Sequence, residues 1–495
     1  MLQAVQVKDS ADITAAGETL VGRVMATIRQ RIAGRTLAPG AKLPSIRGLA
    51  ESMGVSKSTV VEAYERLAAE GEIQARRGSG FYVRRLPPLS LADVAPKLDR
   101  AVDPLWISRQ SLDAGADDLR PGCGWLPADW LPEAALRRGL RKLGRAEAAT
   151  LGEYGTPLGL PALRQLLAHR LAEHGVEAAP EQIILTESGT QAIDLVCRFL
   201  IEPGDTVLVD DPCYFNFQAL LRAHRARIVS VPYTPTGPDI NLFAQALTEH
   251  RPRLYVTNSA LHNPTGATLS AATAHRLLKL AEQSGLTIVE DDIFADLEPE
   301  FAPRLAGLDG LERVIQIGSF SKTLSASMRC GYIAARRDWI EGLTDLKVAL
   351  SFGGGRLAAE LVLDLLKDGS YRRHVDGLRQ RLGRAMAETA GRLAALGIEP
   401  WLMPRGGLFL WCRLPGELDA GQIARHALGE GVVLAPGNAF SLSQAARHFM
   451  RFNVAQAADP RIFSVLRQAM RAAELRPPSQ EGRGERVSRV GEGQG

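Results

Sequence analysis

The stretch GSFSKTLSASMRCGY, residues 318–332, sets the chemistry of the larger part of this chain. It follows the apolar run Val314-Ile315-Gln316-Ile317, which reads as a parallel strand. Small and hydroxyl-bearing residues then surround one lysine. Gly318, Ser319, Ser321, Thr323 and Ser325 flank Lys322, and Arg329 lies seven residues beyond it. A lysine carried by a strand end into such a loop can form a Schiff base, while hydroxyls and a guanidinium beside it hold a phosphate. Pyridoxal 5'-phosphate (PLP) needs both at once.

Working outward, short apolar strands alternate with longer amphipathic helices from Pro121 onward. Ile183–Leu185 reads as a strand entering Ser188-Gly189-Thr190-Gln191, a turn whose N–H groups and hydroxyls suit a phosphate. Thr206–Val209 leads to Tyr214, placed to stack on a pyridine ring. Asn263, in His262-Asn263-Pro264-Thr265-Gly266, can donate to the cofactor's phenolic oxygen. Leu286–Glu290 runs into Asp291, where a carboxylate can pair with a protonated ring nitrogen and keep the ring an electron sink. Ser319, Ser321 and Arg329 complete a phosphate cup beside Lys322. This is an α/β pattern, with chemistry expected where loops leave the strand C-termini.

The first eighty-odd residues have a different grammar. Leu20, Val24, Ile28 and Ile32 recur at helical spacing; Ser45 is placed to cap a helix over Ile46–Met53 that Gly54 ends; and Ser56 is placed to cap a third. Two short helices joined by a tight turn form a helix-turn-helix, and Ile73–Val83 reads as a hairpin with Gly78–Gly80 at its tip. Lys42, Arg47, Lys57, Arg66, Arg76 and Arg77 supply charge for phosphates, and the helix start from Ser56 to Thr59 can reach base edges in a major groove.

The chain has 495 residues, 45% hydrophobic and 23% charged, with a formal net charge of +4, which is ordinary for a globular protein of two or three domains. Its five scattered cysteines lack CxxC spacing and predict a reduced, cytoplasmic setting without a structural metal. Neither a signal peptide nor a bilayer-spanning run is expected. The predicted organisation is a DNA-binding domain over 1–83, a proline-punctuated linker over 84–116, a PLP-binding domain over 117–475 and a disordered tail over 476–495.

The segment from Leu20 to Val83 resembles the winged helix-turn-helix of the GntR family. That resemblance implies backbone contact by Arg47, groove contact by Ser56, Lys57, Ser58 and Thr59, and a wing around Arg76, Arg77, Gly78 and Gly80 on double-stranded DNA. Lys57 departs from the usual arginine, keeping the charge but losing the fork that reads guanine. From Pro121 to Leu475, the segments YGTPLGLPALR, SGTQ, DDPCY, HNPTG, VEDDIFADL, PRGGLFLW and MRFN resemble fold-type I PLP enzymes of the aspartate aminotransferase superfamily. Here the resemblance implies Lys322 as the Schiff-base lysine and Asp291 on the ring nitrogen. It puts Asn263 near the ring oxygen, Tyr214 on the ring, and Tyr154 on the phosphate of a neighbouring subunit in a homodimer. Arg451 is implied to hold a substrate or effector carboxylate. Phe294 departs from the usual tyrosine three residues after the aspartate. A GntR-like reader fused to an aminotransferase-like domain resembles the MocR regulators. PLP, with or without an amino compound forming an external aldimine, is there expected to act as effector rather than to support turnover. A working aminotransferase with an accessory DNA-binding domain is the alternative.

Overall fold

The computed structural model describes residues 19–33, 36–37, 40–76, 79–83, 104–115 and 117–475. It divides into two compact units, one ending at Lys97 and one beginning at Leu98. The first contains helices α1 (Leu20–Ala33), α2 (Ile46–Met53) and α3 (Lys57–Ala69) and an antiparallel hairpin of β1 (Ile73–Arg76) and β2 (Gly80–Val83). Local chemistry sets the turn between α2 and α3. The Ser45 hydroxyl accepts the Gly48 N–H at 3.1 Å, Gly54 ends α2 at φ 63°, and the Ser56 hydroxyl accepts the Thr59 N–H at 3.1 Å. Val24, Ile28, Leu49, Val60, Leu67 and Ile73 close into one small core, which fixes the angle between the helices.

The second unit is built on an eight-stranded sheet. Its strands are β3 (Ile183–Thr186), β4 (Thr206–Asp211), β5 (Arg227–Thr234), β6 (Gly237–Pro238), β7 (Leu254–Thr257), β8 (Thr287–Asp291), β9 (Val314–Ser319) and β10 (Gly331–Ala334), in spatial order β3-β10-β9-β8-β7-β4-β5-β6. The run β9-β8-β7-β4-β5 is parallel, whereas β10 is antiparallel to both β3 and β9. Helices cover both faces, which is why β3 and β7 are buried along their whole length and read as unbroken apolar runs. On β4, Leu208 packs in one core with Phe243 and Leu277, while Val207 and Val209 pack in another with Ile193 and Val196. A smaller antiparallel sheet, β11 (Glu399–Pro400), β12 (Phe409–Arg413), β13 (Ala435–Pro436) and β14 (Phe449–Asn453), has order β11-β12-β14-β13 and shares a core with the long helix Ser370–Ala394.

The linker expectation needs correction over part of its span. Pro104–Asp113 is a helix, and Trp106 and Ile107 are buried in the core that also holds Leu378 and Leu382. Periodicity missed it because one apolar cluster suffices for a short helix that docks on a ready surface. Residues 84–103 and the predicted tail, 476–495, lie outside the described residues, as do Arg77 and Gly78.

Candidate functional site

The C-terminal ends of β3, β8 and β9 bring the chemistry together. After β9, the loop turns Lys322 so that its Nζ donates to the Gly124 carbonyl at 2.6 Å. Burial, reinforced by the Arg451 guanidinium, draws the amine's pKa down to about 8. Asp291 closes β8 and is itself buried, and burial pushes its carboxyl up to about 7. Its Oδ1 accepts a long bond from the Ile293 N–H, at 3.4 Å, and the Asn258 side chain offsets part of the burial cost. Asn258 donates to the Asp291 backbone carbonyl at 2.8 Å, and the Asn258 Oδ1 is buried without a partner.

Arg451 is the third charged group of the site. It is fully excluded from solvent and lies among aromatic rings, 4.2 Å from the Phe409 centroid and 4.8 Å from that of Phe440. Its Nη1 donates to the Asn263 Oδ1 and its Nη2 to the Gly122 carbonyl, each at 2.7 Å, while its Nε has no partner among the described residues. Burial lowers its pKa to about 10. Among the described residues, none of Lys322, Asp291 and Arg451 makes an ion pair with another side chain. Tyr214 is half-buried, with its ring edge-on to Phe217 at 5.4 Å. Phe294 packs edge-on against Phe409 at 5.6 Å and lies 5.8 Å from the Lys322 Nζ, so an apolar ring stands beside the amine.

Phosphate-binding character gathers at the start of the helix Gly189–Leu200. Ser188 caps it, its hydroxyl accepting the Gln191 N–H at 3.1 Å, which leaves positive helix-end character facing out of the first turn. The Gln191 side chain is turned back onto the Glu187 N–H at 2.6 Å, and Thr190 is exposed. Ser319 and Ser321 hydroxyls lie 3.0 Å apart. Arg329 is exposed in a left-handed conformation, φ 49°, with no ion pair among the described residues. A side chain at Gly331 would come within 2.9 Å of the Ser188 carbonyl carbon, so only glycine lets β10 pass behind this turn. Tyr154 is 79% exposed and stacks on Phe352 at 5.5 Å.

These residues fit PLP. A buried acid suits a ring N–H, a half-buried amine of lowered pKa suits an aldehyde, and a helix start with two serines and an arginine nearby suits a phosphate. Sequence reasoning missed the backbone carbonyls of Gly122 and Gly124 and the Asn258 side chain. The only signal for the first two was the glycine spacing in Pro121-Gly122-Cys123-Gly124. Asn453 ties that segment down, donating to the carbonyls of Cys123 at 3.1 Å and Trp125 at 2.8 Å.

In the first unit, Ser56, Lys57 and Ser58 are exposed at the start of α3, and Thr59 is half-buried behind them. The Ser56 hydroxyl lies 2.7 Å from that of Ser58 and 2.8 Å from that of Thr59. Arg47 is exposed and loosely held by Glu51 at 3.1 Å, and Arg66 by Glu62 at 2.6 Å. Arg76 stacks over the Tyr82 ring at 4.4 Å, next to exposed Gly80. The arrangement offers a polar helix start and exposed cations to a duplex.

Comparison with known proteins agrees with both units. Residues 20–83 match the bacterial regulatory proteins of the gntR family, and residues 126–466 match aminotransferase class I and II. The HTH-type transcriptional regulator YdcR of Escherichia coli (strain K12) is 31% identical over 86% of this chain and 93% of its own length. The probable rhizopine catabolism regulatory protein MocR of Rhizobium meliloti is 30% identical over 83% of this chain and 84% of its own. Among solved structures, LysN, an alpha-aminoadipate aminotransferase from Thermus thermophilus complexed with N-(5'-phosphopyridoxyl)-L-leucine, superposes with a TM-score of 0.68 at 26% identity, over 78% of this chain and 99% of LysN. With a gntR reader at its start and an aminotransferase class I and II domain making up most of its length, the chain belongs to the MocR-type transcriptional regulators of the GntR family.

Proposed function

We propose that this regulator senses PLP, alone or together with an amino compound, through Lys322, and passes the result to its DNA-binding domain. The carrying observation is that Asp291 and Arg451 are buried and Lys322 half-buried in one site, each without an ion pair to another side chain among the described residues. Buried charges are normally paired, and this set matches a ligand with an aldehyde, a protonated ring nitrogen and a neighbouring carboxylate. When bound, PLP supplies the aldehyde that a primary amine captures. Lys322 would hold it covalently, Asp291 the ring N–H and Asn263 the ring oxygen, with Tyr214 against the ring face. Ser188, Gly189, Thr190, Ser319, Ser321 and Arg329 would hold the phosphate. Gln191 shapes the turn through its Oε1 on the Glu187 N–H and would offer its side-chain N–H groups to the ligand.

Arg451 would take the carboxylate of an amino-acid effector as a bidentate pair. Tyr154, exposed on its own chain, would reach the phosphate of a second copy, so the working form is a cytoplasmic homodimer. Ligands shift DNA affinity only if they bind two states unequally. The test is DNA binding at fixed salt with and without PLP and candidate amines, in wild type and Lys322→Ala. A PLP response that survives in the variant sinks the reading. The retained Lys322 and Arg451 also favour a second reading, catalytic amine transfer, and multiple turnovers with amino and keto acids would establish it.

A further inference from the structure

A cavity of about 170 Å³ lies between the Tyr154–Pro161 loop and the Gly353-Gly354-Gly355 turn. Its lining includes three cationic side chains, Arg329, Lys347 and Arg356, with Thr156 and Thr186, and no carboxylate. Lys347 is only 1% exposed, and among the described residues its Nζ has a single acceptor, the Pro157 carbonyl at 2.7 Å, although an ammonium carries three donors. The amine lies against the glycine turn: a Cβ on Gly354 would stand 3.4 Å from its Cε and 3.8 Å from its Nζ. Gly354 has φ 79°, and Gly355 begins the helix Arg356–Lys367 with no side-chain cap, which leaves that helix start electropositive. The nearest acids stand outside the lining. Glu187 is exposed, and Glu360 lies 3.8 Å from the Arg356 Nε. Arg356 also donates to the Ala149 carbonyl at 3.1 Å and the Thr150 hydroxyl at 3.3 Å. A buried cation is ordinarily matched by an anion, yet Lys347 makes no ion pair among the described residues, and Glu187 acts on it only from beyond ion-pair distance.

We propose that this cavity is a second ligand site, built for one small oxyanion such as a phosphate or a short carboxylate. Lys347 is its buried anchor and Arg356 its outer charge. Arg329 is shared with the phosphate cup proposed above, so the assignment is carried by Lys347 and Arg356, which that reading does not use. The volume admits a phosphate or a short carboxylate with its hydrating waters.

The test is calorimetric titration of the full chain, saturated with PLP so that the phosphate cup is filled, with sodium phosphate, sodium sulfate and sodium acetate in separate runs. One saturable site per chain is expected. Its preference among the three probes distinguishes a phosphate source from a carboxylate one. Lys347→Met should weaken binding about tenfold or more, as loss of a charge-assisted bond does, and Arg356→Gln about threefold. Cofactor loading is read independently from the visible absorbance. If the chain takes no PLP, the function proposed above fails, and the same comparison of wild type with both variants, run without cofactor, still decides this site. If Lys347→Met does not fold, Arg356→Gln carries the decision. No saturable binding in wild type, or equal binding in the folded variants, overturns the proposal.

Discussion

The lowered pKa of Lys322 sets how fast its amine captures an aldehyde at neutral pH. Only a neutral amine attacks an aldehyde. An amine titrating at about 8 is roughly one-tenth neutral at pH 7, whereas one at the ordinary 10.5 is neutral in about one molecule in 3,000. Burial therefore gives about a 300-fold larger reactive fraction at neutral pH. Stopped-flow mixing of cofactor-free protein with PLP, followed by absorbance, should show the capture rate rising about tenfold per pH unit below the midpoint and levelling near pH 8. Arg451 is the second cause of the lowered value, after burial, so Arg451→Gln should move the midpoint upward. A rate independent of pH across this range, or a midpoint at the ordinary lysine value, would refute the reasoning.

Three further predictions concern stability, the cofactor and DNA. Asp291 titrates at about 7 in the folded chain against 3.8 in the unfolded one, so between those values the folded state binds more protons and stability falls as pH rises. At pH 8 that penalty, about 4 kcal/mol by linkage, should vanish in Asp291→Asn, whose cofactor-free form then melts higher than wild type even as its PLP affinity drops; differential scanning calorimetry and PLP titration check both halves. Phe294→Tyr should place a hydroxyl near the cofactor's ring oxygen and, by donating to it, lower the pH at which the lysine–PLP absorbance changes; an unchanged titration would show that the hydroxyl does not reach. Arg47→Ala should weaken DNA binding about equally across sequences and reduce the slope of log affinity against log salt by about one, as expected for one lost phosphate contact.

How legible was this in the sequence? Local chemistry is readable wherever a side chain announces its own task. Ser45 and Ser56 cap the helices they are expected to cap, Gly54 sits at the left-handed helix end, and Asp291 and Ser319 stand at the C-terminal ends of buried parallel strands. What stays hidden depends on closure over long separations. Gly124 and Gly122 act through backbone carbonyls, 198 residues from Lys322 and 329 from Arg451, and a carbonyl leaves no trace in residue identity. Gln191 is expected on the ligand, but its side chain has a closer acceptor role on the Glu187 N–H. Trp106 reads as linker in the sequence because ten helical residues carry too little periodicity to stand out without the surface they dock on.

The most direct measurement is the affinity of the full-length protein for a DNA fragment selected by the protein itself, at one fixed salt concentration, with and without PLP, in wild type and in Lys322→Ala. The account predicts a PLP-dependent change in wild-type affinity and none in the variant, with equal basal binding. A wild-type affinity that ignores PLP, or a variant that still responds to it, would contradict it.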